Sequence, residues 1–275
     1  MIPLSELPIG VFDSGIGGLT VVRQMRRVLP HEDLVYLGDT ARVPYGTKSP
    51  STVVRFAIED TQFLVDQKVK AVVVACNTAS AWALPTLERR FDLPIFGVIL
   101  PGVRAALAAT RNRRIGVIAT PATIRSQAYT RALLARDDGL ELVARDCPLL
   151  VPLVEEGWTT GPIITAVLQE YLSPLLGRGI DTLVLGCTHY PLLKPAIDVV
   201  TGGRVRLVDS AESCAEYVAA GLRQLGVLNV DRRRPGRIQP FVTDDTAWFD
   251  EQSAKFLGEA AEPAGQVTLP IIEMR

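Results

Sequence analysis

Two stretches constrain the fold of this chain more than any other feature. Val72-Val73-Val74-Ala75-Cys76-Asn77-Thr78-Ala79-Ser80 is echoed by Thr182-Leu183-Val184-Leu185-Gly186-Cys187-Thr188-His189-Tyr190. In each, an apolar run ends in a small residue, then a cysteine, then polar side chains, then a helix-like segment ending near a proline (Pro85, Pro195). Short apolar runs bounded in this way predict buried parallel strands followed by strand-to-helix loops. Ligands of open α/β sheets sit at the carboxyl ends of such strands. The chain therefore places thiols at equivalent positions in two halves.

The rest of the chain repeats this rhythm. Residues 9–12 read as a first strand that ends in Asp13-Ser14-Gly15-Ile16-Gly17-Gly18, with a helix from about residue 19. Residues 34–37 form the next strand, and 38–49 a long polar loop containing Asp39, Pro44, Tyr45 and Gly46. Apolar spacing predicts a helix over 50–68, and the Cys76 strand is followed by a helix to about 90. Then come a strand within 93–100, a helix from Pro101 to about 110, a strand at 115–119 and the helix start Thr120-Pro121-Ala122-Thr123. Further expected pieces are a strand at 140–144, an apolar-acidic segment at 151–156, a helix over 162–176, the Cys187 strand and a helix from Pro191. A strand at 205–208 leads to an Asp209-Ser210 N-cap and a helix at 212–225. The tail holds a strand at 238–242, a helix at 244–257 and an extended piece at 267–272.

Alternating strands and helices predict an α/β fold of two similar domains, with mostly parallel sheets flanked by helices, facing each other across a cleft. The first domain is expected to span 1–98 plus 209–275 and to carry Cys76; the second, 99–208, carries Cys187.

Composition narrows the function. With 275 residues, 48% hydrophobic, and a formal charge of −1, the chain has core enough for two domains and no general attraction to nucleic acid or anionic membrane. The arginines at 111, 113 and 114 and the Arg232-Arg233-Arg234 run read as solvated surface. No apolar run approaches the ~20 residues of a membrane helix. No basic-then-apolar leader opens the sequence, which predicts a cytoplasmic protein with reduced thiols. The four cysteines show no metal-type spacing, and the two histidines are too few for a His-rich metal site.

Four readings compete for the glycine turn and the thiols. A dinucleotide fingerprint, with Asp39 as the ribose acid, is disfavoured because the glycines run G-x-G-G and Asp13 stands where a pyrophosphate would lie. An Asp-Ser pair beside backbone amides suits a small zwitterion, in a binding protein or an enzyme. A cysteine amidohydrolase would need only one thiol and a neighbouring base. Two equivalent thiols suit a symmetric reaction, in which a proton leaves one face of a carbon and another is returned to the opposite face. Asp13 and His189 are their natural partners, whereas Cys147 and Cys214 read as buried small hydrophobes.

The same blocks resemble those of glutamate racemase. Gly10-Val11-Phe12-Asp13-Ser14-Gly15-Ile16-Gly17-Gly18-Leu19-Thr20-Val21 is similar to that family's opening motif. Gly38-Asp39-Thr40-Ala41-Arg42-Val43-Pro44-Tyr45-Gly46, the Cys76 block and Gly186-Cys187-Thr188-His189-Tyr190-Pro191-Leu192-Leu193 are similar to its later motifs, in order. The resemblance implies a cofactor-independent racemase of glutamate that supplies D-glutamate for peptidoglycan and forms a homodimer. It implies that Cys76 acts on the D-enantiomer and Cys187 on the L-enantiomer, with Asp13 and His189 assisting. It further implies a substrate site of Asp13, Ser14, Pro44, Tyr45, Gly46, Cys76, Asn77, Thr78, Cys187, Thr188 and His189, with Asp39 and Glu155 as helpers. The chain departs from the family at Leu100, where many members carry Glu, and at Gln127, which replaces a commonly small residue. Related aspartate racemases tend to carry an acid at the position of His189, which favours glutamate.

Overall fold

The computed structural model describes residues 3–230 and 234–272. Its first half builds β1 (Ile9–Asp13), α1 (Leu19–Val28), β2 (Leu34–Gly38), α2 (Pro50–Asp66), β3 (Ala71–Val74), α3 (Asn77–Arg90), β4 (Ile95–Gly97) and α4 (Ile99–Ala109). A second unit follows: β5 (Arg114–Ala119), α5 (Pro121–Ser126), α6 (Ala128–Leu134), β6 (Glu141–Asp146), α7 (Leu150–Glu155), α8 (Pro162–Leu176), β7 (Thr182–Gly186), α9 (Lys194–Thr201) and β8 (Arg206–Asp209). The chain ends with α10 (Ser210–Gln224), β9 (Ile238–Val242), α11 (Thr246–Leu257) and β10 (Gly265–Gln266).

These elements form two parallel sheets, ordered β10-β9-β2-β1-β3-β4 and β6-β5-β7-β8. Helices cover the faces of both, so β1, β3 and β7 are buried at every residue and read as continuous apolar runs. Each fully buried Val, Leu or Ile in these runs stabilises the fold by about 1.5–3 kcal/mol through lost water contact. The chain passes from the first sheet to the second through α4 and returns through α10, and these two helices pack together. Side-chain caps fix where several helices begin. Ser49 accepts from the Thr52 amide, Thr120 from Thr123, Asp209 from Ala211 and Asp245 from Ala247.

Five sequence expectations change in detail. The helix expected from Pro101 starts at Ile99, because a proline is tolerated in a first turn whose N–H groups have no intrahelical partner. The helix expected from Pro191 is a 3₁₀ turn over Tyr190–Leu193, and α9 begins only at Lys194. Pro85 lies inside α3, which continues to Arg90. The long loop after β2 contains two short 3₁₀ turns, Thr40–Arg42 and Tyr45–Thr47. In the tail, strand pairing covers Gly265–Gln266, with the Val267 amide still donating to the Val242 carbonyl at 2.8 Å, and Val267, Leu269 and Ile272 pack on an apolar cluster of the first sheet.

Arg111, Arg113 and Arg114 are exposed, as their composition suggested, and Arg113 and Arg114 pair with Asp137 and Glu141. Arg234 pairs with Asp33 at 2.6 Å, while Arg232 and Arg233 lie outside the described residues. No helix among the described residues is long and apolar enough to cross a membrane.

Candidate active site

All strands of each sheet run the same way, so their carboxyl ends gather the loops that carry the polar motifs. A cavity of about 340 Å³ opens between these ends. The first sheet contributes Ser14 after β1, Pro44, Tyr45 and Gly46 after β2, and Cys76, Asn77 and Thr78 after β3. The second contributes Thr120 after β5, Cys147 after β6, and Cys187, Thr188 and His189 after β7, with Glu155 from α7 at the rim. A mostly apolar pocket with a few convergent polar groups is the usual form of a small-molecule site. Both motif cysteines thus face one cavity from opposite sheets.

On one side, the Cys187 sulfur lies 3.9 Å from Nδ1 of His189, whose Nε2 lies 2.9 Å from Oε1 of Glu155. The imidazole is buried, and its ring edge packs on Phe256 of α11 at 5.3 Å between centroids. Burial opposes its protonation, but the bonds to Cys187 and Glu155 outweigh that and lift its pKa from 6.5 to about 10. The ring is therefore an imidazolium at neutral pH, beside the sulfur.

On the other side, Cys76 occupies the N-cap of α3, where its sulfur takes the Ala79 amide at 3.5 Å and meets the Ser14 hydroxyl at 3.7 Å. A helix N-terminus favours a thiolate. Here burial wins, aided by the neighbouring Asp13 charge, and the thiol is pushed up to about 12. Cys76 rests as a proton donor.

Asp13 ends β1 beneath the cavity rather than on its wall, and is fully buried. Its Oδ2 accepts the Gly15 amide at 3.1 Å and its Oδ1 the Thr188 hydroxyl at 3.4 Å. The carboxylate thus fills the glycine turn itself, which leaves no room there for a pyrophosphate. Its neighbours Ser14 and Thr188 line the cavity above it. Burial raises its pKa, and the His189 charge pulls it back in part. The turn needs glycine for close approach: a Cβ on Gly18 would lie 2.4 Å from the Asp13 Cβ, and one on Gly17 would lie 2.4 Å from the Thr188 hydroxyl.

Asp39 also stands outside the cavity wall. It lies behind Tyr45, accepting the Tyr45 hydroxyl at 2.5 Å, Arg42 at 2.6 Å and the Thr243 hydroxyl at 3.0 Å. Asn77 is clamped between the second unit and α10, accepting from the Tyr129 hydroxyl at 2.7 Å and donating to Ser210 at 3.3 Å.

Thr120 and Cys147 are among the wall residues that sequence reasoning missed. Thr120 joins Thr78 and Thr123 in a triangle of hydroxyls 2.8–3.0 Å apart that bridges the two sheets. Its signal was available, since Thr120-Pro121 closes a strand as Cys76-Asn77 does. Cys147, read as a buried hydrophobe, is buried but also forms wall, with its sulfur 3.8 Å from the Arg145 carbonyl oxygen. Cys214 is buried within α10 away from the cavity, and all four cysteines are free thiols. Among the described residues no cluster of His, Cys, Asp and Glu is arranged to hold a metal ion.

Comparisons with known proteins agree with this geometry. The family model for Asp/Glu/Hydantoin racemase matches residues 9–218. The chain is 51% identical to the glutamate racemase of Geobacter metallireducens over 95% of this chain and 96% of that one. Among solved structures, a glutamate racemase isoform from Bacillus anthracis superposes with a TM-score of 0.93 at 38% identity, covering 98% of this chain and 100% of that one. The Francisella tularensis glutamate racemase in complex with D-glutamate gives 0.88 at 40% identity, covering 96% and 98%. Two parallel sheets with a cysteine at equivalent strand ends, and matches that span nearly the whole chain, lead to one assignment: the chain belongs to the Asp/Glu/Hydantoin racemase family of isomerases, among its glutamate racemases.

Proposed function

We propose that this protein interconverts L- and D-glutamate by a two-base mechanism, without a cofactor. The observation that carries the reading is the placement of Cys76 and Cys187 on opposite sides of one cavity, each at the carboxyl end of a strand. Starting from L-glutamate, a Cys187 thiolate removes the α-proton and the Cys76 thiol delivers its own proton to the opposite face. The product is D-glutamate, with the proton now on Cys187 and the charge on Cys76; exchange with water resets the pair. The reverse reaction exchanges the roles.

The surrounding groups fit these steps. The imidazolium of His189, anchored by Glu155, supplies positive charge beside a Cys187 thiolate. A Cys76 thiol pushed up to about 12 holds the proton it must donate. The amides at the start of α3, the Ser14 hydroxyl and the polar wall of Asn77, Thr78 and Thr188 offer hydrogen bonds to the two carboxylates of the substrate. Asp13 acts from beneath, by holding the Gly15 amide and the Thr188 hydroxyl. Asp39 acts further out, through Tyr45.

D-Glutamate made in this way would feed peptidoglycan synthesis in the cytoplasm, and a homodimer is the assembly we expect. The domain division we favour is 1–98 plus 209–275 and 99–208, because each part then holds one sheet and one of the two motif cysteines.

The test is incubation with L-glutamate in deuterated water without pyridoxal phosphate, following optical rotation and α-deuterium by NMR, with L-aspartate alongside. Loss of rotation with one deuterium gained at the α-carbon is the expected result. An unchanged α-proton in both amino acids overturns the proposal.

A further inference from the structure

Behind the Tyr45 wall lies a set of charges that does not balance if every member is ionised. Arg42 reaches Asp39 at 2.6 Å, Asp60 at 3.0 Å and Glu59, and stacks on Phe56 at 4.1 Å. The Asp39, Asp60 and Glu59 side chains are 0%, 0% and 5% exposed. Three buried carboxylates thus share one guanidinium. An uncompensated buried charge is strongly destabilising, so one of the three is better held neutral.

Hydrogen counting says which one. The Tyr45 hydroxyl lies 2.5 Å from Oδ2 of Asp39 and 2.8 Å from Oδ2 of Asp60. A phenol has one hydrogen to give, so one contact needs a hydrogen from the carboxyl side. Asp39 faces donors at both oxygens: Arg42 and Tyr45 at Oδ2, and the Thr243 hydroxyl at Oδ1. Glu59 likewise receives Arg42 at one oxygen and the Ile272 amide at the other, at 3.3 Å. Of the two oxygens that face the phenol, Oδ2 of Asp39 already receives Arg42, whereas among the described residues Oδ2 of Asp60 has the phenol as its partner, and the phenol can accept. The other oxygen of Asp60, Oδ1, takes Arg42.

We infer that Asp60 is a neutral carboxylic acid that donates its Oδ2 hydrogen to Tyr45, and that this bond positions the cavity wall at Tyr45 and Gly46. The charged and titratable groups facing it are Asp39 and Arg42 from the turn after β2, Tyr45 beyond that turn, and Glu59 from its own helix. Burial first, then the Asp39 charge, hold the Asp60 carboxyl well above the usual carboxylate range, which agrees with the hydrogen count. Asp60 is a positioning residue: it lies outside the cavity wall and acts through Tyr45, which lines it. That functional consequence rests on the racemase reading, whereas the protonation state does not.

The discriminating change is Asp60→Asn, because an asparagine presents an acceptor to Arg42 and a donor to Tyr45, as the neutral acid does. The experiment compares wild type, Asp60→Asn and Asp60→Ala by infrared spectroscopy, thermal unfolding and glutamate racemisation. At neutral pH the wild type should show the carbonyl stretch of a protonated carboxylic acid, absent from Asp60→Asn. Asp60→Asn should keep the wild-type melting temperature and kinetics. Asp60→Ala, which strands the phenol and Arg42, should raise KM about tenfold while kcat changes less than about threefold. A missing acid band, or an Asp60→Asn protein as impaired as Asp60→Ala, would overturn the inference. If Asp60→Ala does not fold, the band and the Asp60→Asn comparison still decide it. A band with normal Asp60→Asn stability but no racemisation by wild type upholds the protonation state and counts against the racemase reading alone.

Discussion

Nε2 of His189 lies 2.9 Å from Glu155 while Nδ1 of the same ring faces the sulfur of Cys187 at 3.9 Å. The ring joins a carboxylate at the cavity rim to a thiol inside it, and both neighbours raise its pKa. Because the folded-state pKa is raised from 6.5 to about 10, the stability it contributes is fully present below pH 6.5 and is lost as pH rises through about 10. The melting temperature should therefore fall across that window. In Glu155→Gln the fall should move to lower pH, since one of the two groups raising the pKa is gone. Calorimetry at a series of pH values checks this, and an unmoved profile in Glu155→Gln would count against the ion pair.

The two thiols can be separated by isotope. Enantiomers have equal free energies, so losing either thiol must lower kcat/KM equally from both sides. Cys76→Ser and Cys187→Ser should each lower it by about 10²–10⁴-fold. Exchange without inversion should remain one-sided. Cys76→Ser should still place deuterium on L-glutamate, and Cys187→Ser on D-glutamate, each with retention. Racemisation by Cys76→Ser at the wild-type rate would refute the mechanism.

Asp13 should show activity and stability moving in opposite directions. Its pKa is raised by burial, so the folded state loses stability as pH climbs from the ordinary carboxylate value of 3.8 through the raised one. Asp13→Asn removes that cost at neutral pH, while its amide can still accept from Gly15 and donate to Thr188. The melting temperature should stay level or rise. kcat should fall at least about tenfold, because the amide lacks the negative charge that the carboxylate sets beside His189 and Cys76. Thermal unfolding and polarimetry on one preparation test both parts.

The close approach at Gly17 makes a further case. A Cβ there would lie 2.4 Å from the Thr188 hydroxyl and 2.5 Å from His189. Gly17→Ala should destabilise the protein by about 1–3 kcal/mol through overpacking. It should also displace His189 from Cys187 and lower kcat. Urea midpoints together with racemisation rates check the two effects, and a wild-type rate would mean that the loop relaxes freely.

Local pattern alone determined much about this protein. The apolar runs before Cys76 and Cys187 specify β3 and β7, and the polar residues after them specify loops at strand ends, because hydrophobic periodicity and capping act over a few residues. The same local signals mark the glycine turn after β1 and the N-cap at Asp209. The motif blocks, taken in order, pointed to the family. What the pattern could not express is which distant side chains meet. Glu155 lies in an ordinary apolar-acidic helix, and only the packing of α7 beside the β7 loop sets it against His189. Asp39 follows a strand just as Cys76 does, yet Arg42 and Tyr45 draw it away from the cavity. Thr120 and Cys147 became wall residues because β5 and β6 end at the same level as β7 in one sheet. Strand propensity is a property of neighbours in sequence. The register and order of strands, which decide what faces the cavity, arise from the joint burial of helices and sheets across the whole chain.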